Sequence, residues 1–263
     1  MIQSLAYIDP QAKIASNVVV EPFTVIHKNV VIGEGTWIGP NVTIFPNTII
    51  GKNCKVFPGA VLGAVPQDLK FNGEETQVII GDNTTIREAV TINRGTIDKM
   101  QTVVGSNCLI MAYVHLAHDC VVGNNVIIAN GVQVAGHVTI EDNARIGGLS
   151  AVHQFVNIGR HVMIEGGSMV SKDVPPFVKA GRYPLSYEGI NSVGLRRSGF
   201  TNEKISEIQE IYRMLFVHNT NVSKALKVVQ TQMPQTPERD EILSFIGDSE
   251  RGVMKGFQQR SRF

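Results

Sequence analysis

Seven histidines occur in the 263 residues, and four lie within one stretch: His115, His118, His137 and His153. Imidazole is the side chain whose ordinary pKa lies nearest neutrality, so histidines that converge in space support either acid–base chemistry or metal ligation. Zinc on His115, His118 and His137, with an open position for water, is one such arrangement. The other is acyl transfer, in which one imidazole takes the proton of an attacking hydroxyl. That chemistry needs a group to orient the base and a donor for the oxyanion. Asp119 follows His118 and can orient it. Gly136 precedes His137, and an amide without a side chain beside it can approach a carbonyl oxygen closely. A scaffold with no chemistry is the third reading.

Whether these residues converge depends on the elements that carry them. Aliphatic residues recur every six positions: Ile8 through Leu62 in one run, Ile80, Ile86 and Ile92 in a second, and Val104 through Val170 in a third. Four places after many of these stands a slim residue such as Ala12, Val18, Thr24 or Cys108. A period of this kind identifies a solenoid. Each hexad supplies one short flat strand and a corner, and three hexads close a triangular coil of about 18 residues. Successive coils then stack as parallel strands about 4.8 Å apart. The large aliphatic is expected to fill each corner, the slim residue to let the interior close. Gly131, Asn143 and Asn83 are expected at corners, where unusual backbone angles arise. His118 and His137 are 19 residues apart and His137 and His153 are 16 apart, so all three fall near one corner on consecutive coils. His115 lies on the strand entering that corner.

Two interruptions displace the register. One, between Leu62 and Ile80, contains Gln67, Asp68, Leu69, Lys70 and Phe71; the other runs from about Thr96 to Thr102. A coil cannot absorb these residues, so they loop out, and loops on a rigid scaffold are where binding groups concentrate. The first loop's polar groups beside two apolar ones suit docking on a neighbour and holding a polar ligand. The repeat ends near Asp173-Val174-Pro175-Pro176, since proline removes ladder donors. Beyond a connector the period turns helical. Ile205, Ile208, Ile211, Tyr212 and Leu215 form one face behind a Thr201 or Asn202 cap, Val222 to Met233 is a second helix, and Thr236-Pro237 opens a third. The expected organisation is a β-helix over 1–180 and a connector with a small helical domain over 181–263.

The balance of 24 basic and 23 acidic residues, net +1, gives no sign of a nucleic-acid partner. No basic n-region and no apolar run of membrane-spanning length occurs, which points to a cytoplasmic protein. Cys54, Cys108 and Cys120 all take the slim position and are expected as buried reduced thiols. Lys172, Lys179, Arg182, Arg196 and Arg197 lie close in sequence and can meet nucleotide phosphates or an acidic carrier protein.

The strings GAVPQDLKFNGEETQVIIGDN, IREAVTINRGT, HLAHDCVVGN, VAGHVTIEDNARIGG, SAVHQF and KDVPPFV closely resemble the UDP-N-acetylglucosamine O-acyltransferases of lipid A biosynthesis. The resemblance covers nearly the whole chain. It implies a mainly β fold, a left-handed parallel β-helix, assembled as a homotrimer with active sites between subunits. It implies transfer of an (R)-3-hydroxyacyl chain from acyl carrier protein to the 3-hydroxyl of UDP-N-acetylglucosamine, with no metal and no cofactor. By the same match, His118 is the general base, Asp119 orients it and Gly136 offers the oxyanion amide. Gln67, Asp68 and Lys70 resemble the groups that hold sugar and phosphate. His115, His137, His153 and Gln154 match ligand-contacting positions, and Asn191 and Arg197 match nucleotide-binding ones. Gly166 matches the position that sets acyl-chain depth. The chain departs from the pattern at Ser198, where a second Arg is expected, at Tyr183, where some members carry His, and at Glu165, where glycine is usual.

Overall fold

A computed structural model describes residues 4–217 and 221–256; residues 1–3, 218–220 and 257–263 of the two expected domains lie outside the described residues. The six-residue period becomes strands mostly two residues long, from Tyr7–Ile8 to Met169–Val170. Every third strand pairs in parallel, and nine-, eight- and ten-stranded sheets result among the described residues. The sheets are the three faces of a left-handed β-helix. Its last face is closed by an antiparallel pair, Val178–Gly181 with Ser186–Ile190.

The step from coil to coil is 18 residues where Asn29 meets Asn47. It widens to 30 where the Lys52 amide meets Asp82, across the first loop, and to 24 where Thr91 meets His115, across the second. Both excesses are whole hexads. The loops therefore interrupt the register without displacing it, contrary to the expectation from sequence. The aliphatics also sit differently from expectation. They line the inner side of the flat faces, and the corners belong to residues three places later with positive φ: Asn29 at 58°, Asn83 at 57°, Gly131 at 70° and Asn143 at 62°. Short side chains that bond locally, or none, tolerate that region best.

The slim position does more than save space. Thr24, Thr36 and Thr84 donate their hydroxyls to the carbonyls of Gly39, Gly51 and Gly105 at 2.7–2.9 Å. The three free, buried cysteines do the same with their thiols, at 3.1 Å from the carbonyls of Gly81, Gly123 and Ala135. Burial pushes the Cys120 thiol up to about 12, which keeps it a neutral donor.

Among the described residues four helices follow: α1 (Ser192–Arg197), α2 (Asn202–Phe216), α3 (Val222–Gln232) and α4 (Pro237–Gly247). The caps of α2 and α4 are Thr201 and Thr236, as their sequences imply. Helix α1 lies in the expected connector; six residues are too few to show a periodic face. Two contacts dock the helices on the prism. Buried Tyr212 donates to the Pro176 carbonyl at 2.6 Å, and Arg160 forms a bidentate pair with Glu241, both bonds 2.6 Å.

Candidate active site

One edge of the prism, between the nine- and eight-stranded sheets, carries both insertions. Residues 65–76 leave after strand Val61–Ala64, and residues 94–100 leave after Thr91–Asn93. His118 and Asp119 form the next corner of the same edge, directly after His115–Leu116. One coil later come Gly136 and His137, and then Gln154 and Phe155.

The stacking is set by backbone bonds: the His137 amide donates to the His118 carbonyl at 3.0 Å, and the Phe155 amide to the Gly136 carbonyl at 3.2 Å. The His118 and His137 rings meet edge to face at 4.9 Å, and His137 stacks on Phe155 at 4.4 Å. His118 is 7% exposed and Asp119 wholly buried, with Nδ1 of the imidazole 2.9 Å from Asp119 Oδ2. Burial alone raises the pKa of Asp119. The Thr96 hydroxyl, His118 and the amides of Thr96 and Lys99 outweigh it and hold the carboxyl below its usual range. An ionised carboxylate only accepts, so His118 donates through Nδ1 and its neutral form keeps the lone pair on Nε2. Space beside Nε2 is kept open by Gly136. A Cβ there would lie 2.7 Å from Nε2 and 2.6 Å from Cε1. Among the described residues nothing accepts the Gly136 amide proton.

Three comparisons bear on this geometry. Residues 173–254 match the model of the second domain of UDP-N-acetylglucosamine O-acyltransferase, residues 29–64 and 101–136 the bacterial transferase hexapeptide, and residues 137–172 the hexapeptide repeat of succinyl-transferase. A solved UDP-N-acetylglucosamine acyltransferase from Bacteroides fragilis superposes with a TM-score of 0.94 at 49% identity, covering 97% of this chain and all of the other. The Arabidopsis enzyme superposes at 0.86 with 33% identity, covering 97% and 100%. The acyl-[acyl-carrier-protein]–UDP-N-acetylglucosamine O-acyltransferase of Chlorobium phaeobacteroides is 60% identical over 188 residues, 71% of each chain. The chain belongs to the UDP-N-acetylglucosamine O-acyltransferase family.

In this acyltransferase the remaining expected residues fall into separate groups. His115 is half-buried with Nδ1 2.7 Å from the Thr91 hydroxyl; burial, then neighbouring His118, push its pKa down. His153 and Gln154 are exposed at the same edge, with His153 Nδ1 3.2 Å from the Gln154 carbonyl. Gln67, Asp68 and Lys70 lie on the projecting first loop, where Asp68 accepts from the Lys70 amide at 3.0 Å. That loop is held at its root by Asn93, which donates to the Val65 carbonyl at 3.1 Å, and by Arg94 over the Phe71 ring at 5.3 Å. Gly166 stands at another corner column, beside Gly148. Asn191 and Arg197 line a cavity of 820 Å³ against the ten-stranded sheet, with Arg145, His161 and Lys179. The Asn191 side chain caps α1 and donates to the His161 carbonyl at 2.9 Å. Burial, then Arg160 and Arg145, lower His161 to about 4 and keep it neutral.

The basic residues near the prism end do not form one cluster. Arg182 pairs with Glu188, Arg196 donates to Asn202, and Lys172 donates to the Arg251 carbonyl, leaving Lys179 and Arg197 at the cavity. Nor does His115 join His118 and His137 in a close metal-ligating set among the described residues. The three residues whose ligand atoms lie within 4.8 Å of one another are His118, Asp119 and His137. Besides His118, the Asp119 carboxylate accepts from Thr96 N and Oγ1 and from Lys99 N. Sequence reading missed Thr96, Asp98, Lys99 and Phe155. A strict 18-residue step from Asp119 through His137 would have found Phe155.

Proposed function

We propose that this protein transfers an (R)-3-hydroxyacyl chain from acyl carrier protein to the 3-hydroxyl of UDP-N-acetylglucosamine, the first step of lipid A biosynthesis. Membership of the family supports the overall reaction, and one observation carries the mechanism: a buried His118–Asp119 pair whose outer nitrogen opens onto the space cleared by Gly136. Nε2 of His118 takes the proton of the sugar hydroxyl as that oxygen attacks the thioester carbonyl. The Gly136 amide stabilises the tetrahedral oxyanion. The carbon–sulfur bond then breaks, and the imidazolium returns its proton to the departing thiolate, so the base ends as it began. A positioned base of this kind contributes about 10²–10⁴ in rate.

The residues implied to hold substrate complete the reading. Gln67, Asp68, Lys70, His115, His137, His153 and Gln154 share an edge with the base, whereas Gly166, Asn191 and Arg197 occupy other faces. A site that uses all of them is built between copies, which favours the cyclic homotrimer the family resemblance implies. The β-helix over 1–180 carries the chemistry, and 181–263 supplies nucleotide contacts. No helix among the described residues is long and apolar enough to cross a membrane. The test is to incubate the purified protein with UDP-N-acetylglucosamine and a ladder of 3-hydroxyacyl carrier proteins beside His118→Ala. Acylated sugar nucleotide from the parent alone is the expected result, and the preferred ladder member reads the depth at Gly166. A full rate from the variant would remove His118 from the mechanism.

A further inference from the structure

The second interruption reads in the sequence as an excursion from about Thr96 to Thr102; in the structure it spans 94–100, and its contacts are aimed at both imidazoles. Thr96 is buried, and its hydroxyl donates to Asp119 Oδ2 at 2.6 Å while its amide donates to Oδ1 at 3.0 Å. The Lys99 amide adds a third bond to Oδ1 at 3.2 Å. Two residues past Thr96, Asp98 Oδ2 stands 2.9 Å from Nδ1 of His137. The segment is tightly folded. Met100 N closes a turn on the Thr96 carbonyl at 2.8 Å, and Gly95 packs so tightly that a Cβ would lie 2.2 Å from the Gln101 amide. The Asp119 amide returns a bond to the Thr102 hydroxyl at 2.9 Å. One rigid turn therefore grips the carboxylate behind His118 and brings its own carboxylate to His137.

We propose that Thr96 is a positioning residue acting on the base through Asp119, and that Asp98 does the same for His137, so this turn fixes the tautomer of both rings. With every other lone pair of Asp119 directed at Thr96 and Lys99, the carboxylate presents one oxygen to His118 in one orientation. The ring is thereby held with the proton on Nδ1 and the lone pair on Nε2. Removing the Thr96 hydroxyl frees the carboxylate to rotate, and the ring then samples the tautomer with Nε2 protonated, which cannot accept the hydroxyl proton. This inference rests on His118 as base for its kinetic arm and on geometry alone for its spectroscopic arm.

The experiment compares Thr96→Val and Thr96→Ser with the parent by steady-state kinetics and by NMR of ¹⁵N-histidine-labelled protein. Thr96→Val is expected to lower kcat roughly tenfold to a hundredfold with KM unchanged for both substrates, on the scale of one charge-assisted hydrogen bond. His118 is expected to become a mixture of tautomers, and Thr96→Ser to restore rate and tautomer. Asp98→Asn is expected to change the tautomer of His137 and leave that of His118 unchanged. Should Thr96→Val not fold, Thr96→Ala removes the same hydroxyl with less bulk and carries the same expectations. An unchanged His118 tautomer in the folded variant overturns the proposal. A parent-like kcat, beside an inactive His118→Ala, overturns it equally. An active His118→Ala would instead sink the base assignment, leaving the tautomer measurement to decide the clamp.

Discussion

At the scale of single residues, the sharpest constraint on the site is an absence of atoms. Gly136 is not in the left-handed region, so its backbone conformation does not call for glycine; the requirement is room. His118 cannot simply swing aside to admit a methyl group, because Nδ1 is tied to the buried Asp119 and the ring packs edge to face against that of His137 at 4.9 Å. Gly136→Ala is therefore expected to lower kcat about a hundredfold or more by tilting or covering the base nitrogen. Its cost in stability should be no more than about 1–3 kcal/mol, typical of one overpacked methyl. Activity measured beside the thermal midpoint checks this: a folded Gly136→Ala protein with the parent's kcat would show that the nitrogen is approached from elsewhere. Glycine beneath histidine is also legible in the sequence, because Gly136 follows His118 by one coil of the length seen between His115 and Gln133.

At the scale of elements, the sequence carries the prism almost entirely and the site only in part. The strands are read directly because each hexad repeats the same local solution, so one period predicts twenty-odd elements at once. Asp98 and Thr96 were illegible because the turn that carries them breaks the period, and no local pattern says that a loop folds back on its own edge. The α1 helix and residues 248–256 after α4 were illegible for a related reason: both are held by contacts far away in sequence. The segment after α4 is strapped to the last coil through Asp173. Its Oδ1 accepts from the Asn157 amide at 2.8 Å, its Oδ2 from Ser249 at 2.6 Å, and its own amide and carbonyl pair with Gly252 and Met254. The strap forms one wall of a 570 Å³ cleft whose other wall includes Asp98, His137 and Phe155. Asp173→Ala leaves the Asn157 amide and the half-buried Ser249 hydroxyl without their charged acceptor, a loss of about 1–3 kcal/mol. Trypsin should then cut after Arg251 and Lys255 faster than in the parent, with a lower melting temperature. Unchanged cleavage would mean that the backbone pairing alone holds the strap.

At the scale of the whole molecule, the distribution of the expected residues over the prism makes an argument about assembly. The base and the polar loop share one edge, while Arg197 lines a cavity against the ten-stranded sheet and Gly166 stands at a different corner. The three sheets are continuous ladders of strands mostly two residues long, so no hinge within the described prism brings these faces together. In the proposed homotrimer a second copy would do so without distortion, and cyclic symmetry would repeat the same composite site at each junction. Such a site can be tested by mixing damage. His118→Ala and Arg197→Ala chains, each with little activity alone, are co-expressed with distinct tags and the mixed assemblies purified. If each site takes its base from one copy and its arginine from the next, every mixed trimer has about one junction in three with both residues intact, and about a third of the parent rate should return. If both residues serve a site within one chain, every site carries one lesion and mixing restores nothing. The amount of recovered rate thus separates a site between copies from a site within one, without any structure of the assembly.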